Sequence, residues 1–178
     1  MNKPAIYGLM AEFKDSELLL EAARRARETG YTKMDAYTPM PIEGLSEALG
    51  LRGTILPFIV LAGGIFGGLS GYLLQYYVAV ISYPLNVGGR PLHSWPAFIP
   101  VTFEGTILIA GVAAVVGMLA LNGLPQPYHP VFNAPRFELA SYDRFFLSIE
   151  AEDPKFDLEE TRKFLDSLEP EAVNEIKP

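Results

Sequence analysis

Two long stretches without charge constrain this chain more than any other feature in it. No charged residue lies between Arg52 and Arg90, and only Glu104 breaks the stretch from Arg90 to Arg136. A bilayer core about 30 Å thick needs roughly 20 apolar residues in helical form, and residues 54–81 and 98–121 each supply a run of that order. Within hydrocarbon the backbone must satisfy its own N–H and C=O groups, so two isolated spans have to be helices. The alternative is a pair of buried helices in a soluble core, for which a chain of 178 residues leaves too little covering protein. The expectation is a transmembrane hairpin over residues 54–121, with an outer loop at 82–97.

The polar remainder sets further bounds. There are no cysteines, which excludes disulfides, thiolate-held iron–sulfur clusters and the C-x-x-C-H attachment of c-type haem. The net charge is −7, with the excess acid mostly in the last third, so nucleic acid is not an expected partner. Glu12, Asp15, Glu17 and Glu21 precede any long apolar run, unlike a cleaved signal peptide. Lys3, Lys14, Arg24, Arg25, Arg27, Lys33 and Arg52 come before the first span, and Arg136, Arg144, Lys155, Arg162, Lys163 and Lys177 follow the second. The connecting loop has only Arg90, so the positive-inside rule puts both termini in the cytoplasm.

Outside the hairpin the pattern is β-α-β twice. Residues 5–13 read as a strand, and Asp15 or Ser16 caps a helix with Leu18, Leu19, Ala22, Ala23 and Ala26 at helical spacing, ended by Gly30. Residues 33–38 form a second strand closed by Pro39 and Pro41, followed by a short amphipathic turn or helix over 42–51. After the second span, 145–150 reads as a strand, Asp157 opens an acidic-ended helix, and 172–176 is a final short strand. Neither half is large enough to bury a core alone. The expected fold is therefore a membrane α-helical hairpin of two transmembrane helices between two β-α-β halves, residues 1–53 and 122–178. Together the halves make one ferredoxin-like α+β cytoplasmic domain, which requires residues near 10 and near 147 to share a sheet.

Within the spans, Gly63, Gly67 and Gly71 recur every four residues, and Gly64 and Gly68 form a second such row. Small residues at this spacing let another helix approach closely, either a partner span or the chain's own second span. Gly111, Ala114 and Gly117 are the matching small positions on the second span. Trp95 and Phe98 read as interfacial anchors, with Pro100 in the first turn of the second helix. Glu104 has two readings. It is a carboxylate near a helix start, favoured there by the dipole, or an ionisable group with a proton- or quinol-related role.

No catalytic set is visible. His93 and His129 fall on opposite sides of the membrane in this topology and cannot jointly hold a haem. His129, between Tyr128 and Pro130, reads as a hydrogen-bonded structural residue. No phosphate-cradling glycine loop occurs in a strand-to-helix setting, and no nucleophile–base–acid group is apparent. The acidic run Glu150-Ala151-Glu152-Asp153 fits either a cation site or a solvated turn.

Three short motifs, in order around the spans, carry a family resemblance. They are Asp35-Ala36-Tyr37-Thr38-Pro39-Met40-Pro41-Ile42, Ile99-Pro100-Val101-Thr102-Phe103-Glu104, and Leu124-Pro125 through His129-Pro130-Val131-Phe132. With the β-α-β, hairpin, β-α-β layout they resemble the small two-span membrane subunit of bacterial alternative complex III, over nearly the whole chain. The resemblance implies a respiratory or photosynthetic quinol:cytochrome c (or other acceptor) oxidoreductase, in the bacterial cytoplasmic membrane. Its haem c and iron–sulfur clusters would reside in partners: a multihaem cytochrome c, an iron–sulfur protein, polysulfide-reductase-type quinol subunits and a monohaem cytochrome c. This chain would be an accessory subunit with no cofactor or catalytic residue of its own. The competing readings are a proton path through Glu104 and a free-standing membrane sensor with a cytoplasmic ligand-binding domain.

Overall fold

The structure, a computed structural model, describes residues 6–51 and 53–178. Ala5 of the expected first strand, Lys3 and Arg52 lie outside the described residues. The chain forms two compact units, one drawn from both ends of the sequence and the other comprising Gly53–Gln126.

The first unit contains β1 (Gly8–Phe13), α1 (Ser16–Thr29), β2 (Met34–Tyr37), α2 (Leu45–Ala48), β3 (Phe145–Glu150), α5 (Leu158–Asp166) and β4 (Ala172–Ile176). Local chemistry sets the helix ends. Asp15 caps α1 by accepting from the Glu17 amide at 2.8 Å, and Asp157 caps α5 by accepting from the Glu159 and Glu160 amides. Gly30 ends α1 at φ 108°, a left-handed conformation that costs glycine little, and its N–H reaches the carbonyls of Ala26 and Arg27.

The four strands make one sheet in the order β2-β3-β1-β4, with every neighbouring pair antiparallel. Ala11 pairs with Leu147, so the two ends of the chain do share a sheet. On one face Leu9, Ala11, Phe13, Leu147 and Ile149 pack against Leu19, Ala23 and Ala26 of α1 and Leu165 of α5. On the other face Met10, Phe146 and Ile176 pack against Val131 and Ala134. The second cover was not expected. It consists of two 3₁₀ turns, Pro130–Asn133 and Phe137–Ser141, in a segment to which the sequence pattern assigns no element. Phe146 is fully buried beneath them, worth about 1.5–3 kcal/mol of hydrophobic stabilisation, so the face could not stay open without loss. Strands apolar on both sides, such as Phe145-Phe146-Leu147, are the sequence mark of a sheet covered twice.

The second unit is a helical hairpin. α3 (Leu56–Tyr76) has Pro57 in its first turn and runs on as one π-helical turn, Tyr77–Ser82. α4 spans Trp95–Leu121. Counting that π turn, each helix holds 27 residues and is long and apolar enough to cross a membrane. α4 begins before residue 98, the expected start, because Pro96 at its second position is preorganised for a helix. Two corrections follow. The connection shortens to residues 83–94, and Pro100 is an interior proline whose missing N–H leaves the Pro96 carbonyl without its helical partner.

Candidate functional site

The glycines of α3 are where the hairpin closes. A methyl added at Gly67 would run into the Gly105 carbonyl oxygen and stand 2.9 Å from Ile109 Cβ. One added at Gly63 would lie 2.7 Å from Ala113 Cβ, and one at Gly71 3.3 Å from the Val101 carbonyl oxygen. A methyl added at Gly105, on α4, would lie 3.0 Å from the Gly67 carbonyl oxygen. The second row meets side chains and no backbone: a methyl added at Gly64 would lie 3.7 Å from Ala110 and Thr106, and one at Gly68 2.7 Å from the Thr106 hydroxyl. A methyl added at Gly117 would lie 2.9 Å from Leu56 and 3.2 Å from Ile59. Both rows of α3 and Gly117 of α4 therefore serve this chain's own seam. Ala114 is half-buried. Gly111 stands apart, with nothing within 4 Å of its would-be side chain.

A polar clamp reinforces the seam. Gln75 donates from Nε2 to the Phe98 carbonyl across the helices at 2.9 Å and to the Gly71 carbonyl at 3.1 Å. Thr102 and Thr106 return their hydroxyls to carbonyls of their own helix, at 2.8 Å each. Amides and hydroxyls are the usual adhesive between apolar helices. Gln75 was not among the expected contact positions; its only signal in the sequence is that it is the one amide side chain in the first span. Further along, the Tyr72 hydroxyl lies 2.7 Å from His93 Nε2, and both rings pack against Phe98.

Glu104 is exposed, and helical spacing puts it on the side of α4 away from Thr102, Ile109 and Ala113. It is the tenth residue of α4, so the helix dipole, which fades within the first turn, no longer reaches it. The reading of a carboxylate near the helix start is corrected by the earlier start at Trp95.

In the sheet unit the other candidates are tied down. The Tyr7 hydroxyl donates to Glu150 Oε1 at 3.0 Å and lies 3.4 Å from His129 Nε2. Burial, then the bond to Glu150, pushes the Tyr7 phenol above its usual range. Burial and the nearby Asp35 charge raise Tyr37 to about 12. His129 Nδ1 accepts from the Val131 amide at 3.4 Å. The acidic run is occupied as well. Glu152 pairs with Lys33 at 2.9 Å, which lowers its pKa and raises that of the lysine. Asp153 is buried and accepts from the Thr32 and Lys33 amides at 2.7 Å and the Lys155 amide at 2.8 Å. Burial alone would raise the Asp153 pKa, but these amides and the Thr32 hydroxyl outweigh it and hold it below the usual carboxylate value.

One cluster has no signature in the sequence. Glu12 is 1% exposed on β1, with Arg136 and Arg144 each 3.3 Å from its Oε1. Arg144 Nε also lies 3.2 Å from Glu171. These contacts are ionic in distance yet poorly aligned, so both Glu12 oxygens and Arg144 Nε lack a well-formed hydrogen bond. The cluster pins the 3₁₀ cover to the sheet through charge.

Among the described residues no group of three His, Cys, Asp or Glu side chains gathers as a metal site. No curated protein matches the chain. The sequence does match the family described as Alternative complex III, ActD subunit, over residues 7–175. That match takes in the sheet unit, the hairpin seam and Glu104 alike, and the chain belongs to the ActD family, a subunit of alternative complex III.

Proposed function

We propose that the chain is an accessory, non-redox membrane subunit of a quinol:electron-acceptor oxidoreductase. In this reading the hairpin crosses the bacterial cytoplasmic membrane with both termini inside. It helps assemble and pack the membrane subunits that handle quinol, while haem c and iron–sulfur clusters stay in partner subunits. The sheet unit is a ferredoxin-like cytoplasmic domain interrupted by the hairpin, a reading supported by its antiparallel order β2-β3-β1-β4.

The observation that carries the proposal is the contrast between the two units. The sheet has closed cores on both faces, whereas only 11% and 6% of the most apolar windows of the two long helices are buried. Phe58, Phe66, Leu73, Leu74 and Phe103 are each about three-fifths exposed or more. Water does not tolerate so much apolar surface on a free hairpin; lipid and neighbouring spans do. Because the glycine rows are used within the chain, docking on partners falls to the outer helix faces. Membership of a complex's subunit family favours this role over a free-standing sensor.

The test is affinity purification through a tag on this chain after gentle solubilisation of native membranes. Copurification of c-type haem absorbance and quinol oxidation supports the proposal; a colourless, inactive chain, with its partners intact elsewhere, overturns it. The position of Glu104 deep in α4 also favours a second reading, a proton path shared with a larger subunit. Glu104→Gln separates the two. Normal assembly with lost proton coupling supports the path, and unchanged coupling removes it.

A further inference from the structure

We infer that the face of α4 opposite α3 docks on a membrane helix of another subunit, and that this helix presents a lysine or arginine to Glu104. The inference rests on the membrane-hairpin reading above and adds the partner's chemistry to it.

Three observations converge on this face. Glu104 lies about 13 Å along the helix from Trp95, too far for the amino-terminal dipole to stabilise its charge. Among the described residues its carboxylate enters no ion pair. Its side of the helix is also distinct from the seam. The residues that meet α3 include Thr102, Gly105, Thr106, Ile109, Ala110 and Ala113, with the Val101 carbonyl at the edge of the seam. Glu104 and Gly111 are seven apart and so fall within about 20° of each other around the helix, on the opposite side.

Gly111 makes this side approachable. Every other glycine of the two helices has a neighbour within 4 Å of its would-be side chain, and Gly111 has none. It floors a shallow apolar groove rimmed by Leu108, Val112 and Val115. A glycine there removes the side chain that would hold a partner backbone away.

The occupant follows from charge. A carboxylate facing hydrocarbon without a counter-charge is costly, and such groups pair with an opposite charge inside a bundle. The rest of this face is apolar, so the partner must supply one cation on an otherwise apolar helix. A guanidinium or ammonium reaches Glu104 from a backbone that crosses near Gly111, with the cation about two turns from the crossing.

The experiment places the photoreactive residue p-benzoylphenylalanine at position 108 or, separately, 115 in the tagged full chain within native membranes. Leu108 and Val115 are 64% and 55% exposed, so each should accept the probe. The expected product, after irradiation and purification through the tag, is a cross-link to an apolar segment of another subunit, with a lysine or arginine within about two turns. Glu104→Gln then speeds loss of that subunit in detergent roughly tenfold or more, and replacing the mapped cation with Met as well restores much of the lost resistance. Both probes labelling only lipid, or a segment without a cation, would overturn the inference. If haem still copurifies in that case, the accessory-subunit reading survives it. If the unmodified tagged chain brings down no haem, both fall.

Discussion

Replacing Gly67 with valine should force the hairpin apart at its tightest point. The new Cβ would overlap the Gly105 carbonyl oxygen and sit 2.9 Å from Ile109 Cβ, and neither obstacle is the free end of a flexible side chain. Relief requires α3 and α4 to separate by about 1 Å, enough to forfeit a quarter to a half of each dispersion contact beside the crossing. Overpacking of this kind costs about 1–3 kcal/mol. The chain has no cysteine, so an introduced pair reports the spacing without background. Gly64 and Ala110 suit it, because a Cβ at Gly64 would be 3.7 Å from Ala110 Cβ, within the range a disulfide spans. In Gly64→Cys/Ala110→Cys the bond should form readily under mild oxidant in native membranes. Adding Gly67→Val moves the pair to roughly 4.7 Å, outside the usual range, and should slow oxidation markedly. Gly111→Ala, which meets nothing within 4 Å, should leave the rate unchanged. If Gly67→Val oxidises as fast as its parent while Gly111→Ala slows it, the seam has been assigned to the wrong face.

Three further outcomes test other parts of the structure. Gln75→Leu removes the cross-helix donor to Phe98 and should cost about 0.6–1.7 kcal/mol, read as a lower thermal midpoint of the solubilised chain. Asp153→Asn should cost about 1–3 kcal/mol at pH 7, because the three amides it accepts from lose their charged partner. The native pKa of Asp153 is lowered, so its contribution is full above the unfolded value, about 3.9, and fades as pH falls through the folded one. Denaturant midpoints of wild type and Asp153→Asn should therefore converge below about pH 4 and stay apart above it. Glu12→Ala takes one partner from Arg144, which keeps Glu171 and Asp143, and one from the half-exposed Arg136, so by the same measure it should cost less than the roughly 3–5 kcal/mol of a fully stranded buried charge, and Glu12→Leu with Arg144→Met should recover most of that loss.

The elements with sharp local signals were legible in the sequence. Asp15 and Gly30 bracket α1, and the bounds of β3 and β4 agree to the residue, because acidic turns and prolines flank them. The start of α4 was misread because Trp95 and Pro96 look equally like a loop anchor and a first helical turn. That shift of one turn changed the meaning of Pro100 and Glu104. The 3₁₀ cover over residues 130–141 has no period to detect, and only the two-sided apolar strands hinted that something must lie over them. Glu12 shows the limit of residue type as a guide. A glutamate in a strand reads as solvent-facing, and its burial depends on two arginines more than 120 residues away that only the fold brings near. The glycine rows were visible as packing surfaces, but their partner was not. Spacing alone cannot tell an internal seam from an external one, nor could it show that Gly111 is left open.

In the proposed role the subunit supports the assembly of a redox enzyme without carrying its electrons. The most direct measurement is quinol-driven haem reduction in complexes purified from cells lacking the chain, through a tag on a haem-bearing subunit. Fewer complexes are expected, with those that do assemble reducing haem at close to the normal rate per haem. Complexes recovered in full yield with all their haem, yet unable to reduce it with quinol, would contradict it.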